Sequence, residues 1–224
     1  MYIIKRCAVS QDGYLDDSSE ERLIISNKKD FDQVDELRSQ MDAILIGANT
    51  VRKDNPRLLL ESEFRKRQRL DSGQRGHPIK ITLTKSGDLS PDSNFFTAGQ
   101  ADKIVYCTAN IYEGLKERLK NLAEVIAVGQ EEINLKALLE DLEARGVKKL
   151  LVEGGAGTVT EFLKQGLINE LQVAIAPFFV SDNKAPRFLV DGQIPFNEDN
   201  RLRLINEERV GNMTVLTYKK TAVD

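Results

Sequence analysis

The chain has 224 residues, 41% hydrophobic and 30% charged, the balance of an ordinary globular protein with enough length for one sizeable core. A formal net charge of −3 and a pI near 5.5 argue against a nucleic-acid partner, which calls for a basic face. No apolar run approaches the roughly 20 residues that cross a bilayer, and "MYIIKRCAVS" turns charged too early for a signal peptide, so no membrane is expected and the expected compartment is cytoplasmic.

In chain order, "YIIKRCAVS" reads as a first strand, and "FDQVDELRSQM" places Phe31, Val34, Leu37 and Met41 on one helical face. "DAILIGA" is a short apolar run ending in glycine, as buried strands are, and "IKITLT" and "KIVYC" repeat that signal. "IYEGLKERLKNL" and "NLKALLEDLEARG" read as helices. The second has Leu135, Leu138, Leu139 and Leu142 as its inner stripe, Asn134 as a cap and Gly146 as a stop. "KKLLVEGG" is the next strand and "TVTEFLKQG" the next helix. "ELQVAIAPFFV" and "MTVLTYKK" then follow as strands with no helix between them, which implies antiparallel pairing at one edge of an otherwise parallel sheet. The alternation is that of an α/β protein.

Few side chains are available for chemistry. Cys7 and Cys107 lie in apolar runs and read as buried, inert thiols, and His77 reads as a solvated loop residue. One histidine does not make a Ser-His-Asp triad or a multi-histidine site, so no metal is expected. The basic segment 61–76, with Arg65, Lys66, Arg67, Arg69 and Arg75, is either an exposed helix and loop or a steering patch for a phosphorylated ligand.

Three strand ends carry the polar residues. In "KKLLVEGGAGTVTEFLKQG" a carboxylate, Glu153, closes an apolar strand, and glycines lead into a helix start. Exposed amides and the positive end of the helix dipole there suit an anion such as a pyrophosphate. It is neither G-x-G-x-x-G nor a Walker loop, and a tight turn that simply needs glycine accounts for it equally well. A carboxylate at the carboxyl edge of an α/β sheet sits where ligands collect, suited to a donor-rich group such as an aminopyrimidine or a sugar hydroxyl. "LIGANTVRKDNPRLLL" packs Asn49, Thr50, Arg52, Asp54, Asn55 and Arg57 just beyond another strand, and "AVSQDGYLDD" adds Ser10, Asp12 and Gly13.

In this order and spacing, "SQDGYLDD", "IGANTVRKDNPRL", "LLVEGGAGTVTEFLKQGLINEL" and "IAPFFV" resemble the reductase of riboflavin biosynthesis, the RibD-type C-terminal domain, from about residue 2 to 219. The resemblance implies a single three-layer α/β/α domain over 1–224. Its central sheet would be mixed and predominantly parallel with an antiparallel edge, dihydrofolate-reductase-like, and commonly assembled as a homodimer. The fused deaminase of some relatives is not expected, because H-x-E and P-C-x-x-C do not occur. It further implies reduction of a ribosylaminopyrimidine 5′-phosphate to its ribitylamino form, NADPH supplying the hydride to C1′ of the ring-opened sugar. By resemblance, Gly155, Ala156, Gly157 and Thr158 hold the cofactor phosphates, Ala8 and Val9 line the nicotinamide, and Thr50 and Asp54 contact cofactor and active site. Glu153, Leu58 and Arg38 face the substrate, Arg38 toward its phosphate, and Asp54 is the acidic group nearest the reacting centre.

The chain departs from that pattern in places. Glu61 stands where a substrate arginine is usual, and Arg22 where a serine is; Arg57 and Arg22 are the candidate replacements as phosphate ligands. Lys85 and Ser86 replace a common Asp-Ser pair and suit the NADPH 2′-phosphate, although an exposed loop lysine is as good a reading of Lys85. Two other functions stay open: the same fold and cofactor acting on a pteridine, a dihydrofolate-like compound or another specialised metabolite, and a protein that binds NADPH without turnover.

Overall fold

The computed structural model describes residues 1–190 and 193–220. The chain opens with β1 (Tyr2–Ser10), α1 (Lys28–Ser39), β2 (Ala43–Gly47), α2 (Ala48–Asp54), α3 (Glu63–Asp71) and β3 (Ile79–Thr84). It continues through α4 (Asn94–Thr97), β4 (Lys103–Cys107), α5 (Tyr112–Arg118), β5 (Glu124–Ala127) and α6 (Leu135–Ala144). It closes with β6 (Lys149–Gly154), α7 (Ala156–Lys164), β7 (Glu170–Ala176), β8 (Leu202–Val210) and β9 (Met213–Lys220). The fold is mixed α/β and mostly parallel, as the alternation implies. Contacts divide the chain into two compact units, Met1 with Asp35–Leu151, and Tyr2–Val34 with the residues from Val152 onward.

In the first unit, β2 pairs with β3, β3 with β4 and β4 with β5, all parallel. Parallel neighbours need crossovers, and the helices between the strands supply them. β2 is buried at every residue, which is why "AILIG" carries no alternation. α6 presents Leu135, Leu138 and Leu142 to the core, and Asn134 Oδ1 accepts the Ala137 N–H at 3.1 Å. Each such leucine contributes roughly 1.5–3 kcal/mol by burial. The basic segment is an anchor as much as a surface. Arg69, 5% exposed, donates to the carbonyls of Ser39 (2.7 Å), Met41 (2.8 Å) and Arg75 (2.9 Å), and Arg65 pairs with Asp35 at 3.0 Å.

In the second unit, β1 and β7 are parallel, while β7–β9 and β9–β8 are antiparallel, the edge that the helix-free tail implies. Ala174, Ala176, Val210, Met213 and Val215 form a core cluster with Ala8, Ile25 and Phe178 against it. Within β1, the buried Arg6 pairs with the buried Asp30 and donates to Gln172 at 2.9 Å.

Several expectations need correction. Phe31 is 49% exposed and Met41 lies beyond the end of α1, whose buried members are Asp30, Asp35 and Leu37. That helix turns carboxylates inward because arginines meet them, which hydrophobic periodicity does not register. "ELQVAIAPFFV" stays a strand only to Ala176, since Pro177 has no N–H for the ladder. His77 is buried, its Nδ1 accepting the Leu60 N–H at 3.1 Å, and burial pushes its pKa down. β5 and β8 had no clear signal: the first has four residues, and the second is exposed along most of its length. Both cysteines are buried and free, and burial lifts Cys107 to about 11, an unreactive thiol.

Candidate active site

β6 stays apolar through Val152 and, in the second unit, turns polar at Glu153, which is half-buried. The turn that follows needs glycine: Gly155 has φ 87° and ψ 105°, a backbone region that a Cβ makes costly. Gly155 caps α7, and among the described residues no side chain caps the helix, which leaves its first amides for another acceptor. A Cβ at Gly157 would meet nothing within 4 Å, which leaves open space over the first turn. Thr158 is half-buried in that turn, and Thr160 Oγ1 closes back on the Ala156 carbonyl at 2.8 Å.

Lys5 adds a charge to this junction. It is 1% exposed, and its ammonium donates to the carbonyls of Glu153 (2.6 Å) and Arg6 (2.8 Å). Burial pushes its pKa down, with Glu153 acting in the other direction. The carbonyl it holds, that of Glu153, is two residues before the cap of α7, so Lys5 ties β1 to the start of that helix. The glycine turn, Glu153 and Lys5 therefore meet in one place, and the donor set there fits a phosphate: uncapped amides, open space and a buried cation.

Also in this unit, Val9 is buried and Ala8 half-buried at the end of β1. Asp12 is committed elsewhere. It accepts from Ser10 Oγ (2.6 Å), Val180 N (3.1 Å) and Ser181 N (2.8 Å), tying the β1 loop to the segment after β7. Desolvation pushes its pKa up, but these bonds outweigh that and hold it at about 2. Arg22 is exposed.

In the first unit β2 runs directly into α2, and Gly47 lies opposite Leu83 so that β2 and β3 end side by side. Thr50 and Asp54, both half-buried, occupy the first and last turns of α2. Asn55 follows at φ 42° and Leu58 at φ 50°, and Leu58 is 2% exposed. Left-handed backbone at non-glycine residues, one of them a buried leucine, marks a loop held in shape by its surroundings. Arg57 Nη2 donates to both Glu61 oxygens, at 2.8 and 3.0 Å. Arg38 reaches the Leu59 carbonyl at 3.4 Å, so Arg38, Arg57 and Leu58 share one neighbourhood. Lys85 and Ser86 follow β3; both are exposed, and Lys85 pairs with Glu132 at 2.9 Å.

Two residues of these sites were not legible as such beforehand. Lys5 in "YIIKRC" and Lys80 in "IKITLT" carry no expectation from the sequence, and both are fully buried. A lysine inside an otherwise apolar strand is the signal that marks them.

A parallel-strand α/β frame whose strand-end loops carry a carboxylate, a glycine turn and a helix start places its polar groups at the carboxyl edge, where ligands collect in sheets of this class. The RibD C-terminal domain model matches residues 1–216, and the chain belongs to that family. It is 31% identical to the 2,5-diamino-6-ribosylamino-4(3H)-pyrimidinone 5′-phosphate reductase of Archaeoglobus fulgidus over 97% of each chain. It is 32% identical to the protein of that name from Aquifex aeolicus, over 86% of this chain and 83% of that one. Among solved structures it is similar to a pyrimidine reductase-like protein of Corynebacterium diphtheriae, at 27% identity and a TM-score of 0.80, covering 98% and 92% of the two chains.

Proposed function

We propose that this chain is an NADPH-dependent reductase that converts 2,5-diamino-6-ribosylamino-4(3H)-pyrimidinone 5′-phosphate to its ribitylamino form. The observation that carries this reading is the β6–α7 junction, where a strand-end carboxylate is followed by an uncapped helix start beside a buried lysine. Two near-full-length relatives named as that reductase support the substrate form.

When bound, the reduced nicotinamide supplies the hydride. The amides of Ala156, Gly157 and Thr158 hold its phosphates, with Gly155 shaping the approach and Lys5 balancing the charge. Ala8 and Val9 line the ring, and Thr50, Asp54, Lys85 and Ser86 are the further cofactor contacts. Glu153 binds donor groups of the substrate, Leu58 packs against it, and Arg38, Arg57 and Arg22 are its phosphate ligands. Asp54 polarises or protonates the sugar at the reacting centre. The enzyme works as a cytoplasmic homodimer. No helix among the described residues is long and apolar enough to cross a membrane, and Phe179, just past β7, is 69% exposed.

A second reading has a specific observation behind it. Both Glu61 oxygens accept from Arg57 Nη2, so the arginine offered as a replacement phosphate ligand already has a carboxylate competing for it. A substrate without that phosphate, of the pteridine kind, then fits. Loss of reduced-nicotinamide absorbance with NADPH, and NADH in parallel, over the diamino and deaminated ribosylaminopyrimidine phosphates tests both readings. Turnover of the diamino form is expected, and Asp54→Asn should keep cofactor binding while turnover collapses. Tight NADPH binding without turnover of either phosphate would overturn the first reading and favour the second.

A further inference from the structure

We propose that Lys80 is a positioning residue which, with Asn94, holds Asn55–Leu58 in the left-handed shape that presents Arg57 and Leu58 to the substrate; this rests on the reductase reading above. The loop is costly on its own. Asn55 at φ 42° is the left-handed C-cap of α2, which asparagine adopts readily, but Leu58 at φ 50° is a buried leucine in a sparsely populated region. Something must hold it there.

Lys80 on β3 is 0% exposed, and its ammonium donates to the carbonyls of Arg57 and Ala98, each at 3.0 Å, while lying 5.5 Å from the Phe95 ring centre. It thus joins the loop to the segment after α4. Asn94, at the start of α4, grips the same loop from outside. Its N–H donates to Asn55 Oδ1 at 2.7 Å, and its Nδ2 donates to the Asn55 carbonyl at 3.1 Å. Leu60 N is then fixed by His77 Nδ1 at 3.1 Å, and Glu61 N by Asp35 at 2.6 Å.

A methionine would fill the volume at position 80 without the cost of burying a cation, and that cost is visible. Burial first, and Lys103 on the neighbouring strand second, push Lys80 down to about 8. What a methionine lacks is the N–H groups for the Arg57 and Ala98 carbonyls. The charge is thus kept at a strand position from which both are reached.

Two variants test this, Lys80→Met inside the core and, on the surface, Asn94→Pro, which removes both Asn94 donors at a helix-start position that tolerates proline. Amide hydrogen exchange, read by mass spectrometry, should accelerate about tenfold or more over residues 55–60 in both variants and stay as in wild type over β4. KM for the pyrimidine phosphate should rise about tenfold, as expected for displaced substrate contacts, while the NADPH Kd from fluorescence titration changes by less than about twofold. A merely structural loss would move both constants or neither. Unchanged exchange over 55–60, or equal weakening of substrate and cofactor, overturns the proposal; if Lys80→Met does not fold, Asn94→Pro decides it alone. A wild-type protein that turns over no pyrimidine phosphate overturns the reductase reading instead, and the exchange comparison still decides whether the brace exists.

Discussion

Gly157→Ala should move stability and cofactor affinity in opposite directions. Gly157 lies in the first turn of α7, and a methyl placed there meets nothing within 4 Å in the free protein. Alanine costs less backbone entropy in a helix, so folding should gain about 0.4–1 kcal/mol. For a chain of this size that raises Tm by roughly 1–4 °C. The same methyl projects into the space that a bound phosphate would use to reach the amides. Overpacking of that kind costs about 1–3 kcal/mol, or roughly 5- to 150-fold in NADPH affinity. A thermal melt without ligand and a fluorescence titration with NADPH measure the two effects on one preparation. A raised Tm with wild-type affinity would show that the glycine is not there for a ligand. A lowered Tm would show that the space is filled in the free protein.

Two further outcomes follow from charged groups away from the reacting centre. Asp30→Leu leaves the Arg6 guanidinium buried without its carboxylate and should cost about 3–5 kcal/mol, whereas Arg6→Met with Asp30→Leu should recover most of that. Urea melts of the single and double variants decide it, and a double variant as unstable as the single one would refute the assignment. Asp12 is held at about 2 against an ordinary 3.8, so its contribution is present above pH 3.8 and lost as pH falls toward 2. Asp12→Asn should therefore flatten the stability profile in that window while leaving the slope near neutral pH unchanged; an identical acid limb would remove Asp12 as the tie to Val180 and Ser181.

The buried strands were legible because burial on both faces writes itself as short apolar runs, as in "DAILIGA" and "KLLVE". The glycine turn was legible for a related reason, since the φ of 87° at Gly155 restricts the choice of residue there. Features that depend on distant partners were not. α1 looks like an amphipathic helix with Phe31 inside, but its inner face is set by Arg6 and Arg65, and one sequence window does not contain them. His77 reads as a loop residue until the Leu60 amide is known to donate to it. β8 is exposed along most of its length, so it has no hydrophobic pattern to announce it and forms because β9 pairs with it. Lys5 and Lys80 were visible as letters, but their partners are main-chain carbonyls, which every sequence has and none displays.

The parallel pairing of β1 with β7 has a consequence for synthesis. Arg6 and its neighbour Gln172 are 166 positions apart, so at about 5–20 residues per second β1 waits roughly ten to thirty seconds after translation for the strand beside it. During that wait "YIIKRCAVS" is an apolar, strand-prone segment with unpaired edges, the kind that sticks to other copies of itself. Lys5 and Arg6 sit in its middle and make self-pairing repulsive. When β7 arrives the same two charges turn inward, Arg6 to Asp30 and Gln172 and Lys5 to the Glu153 carbonyl. The residues that keep the nascent strand soluble thus become the ones that fix it, in that order in time.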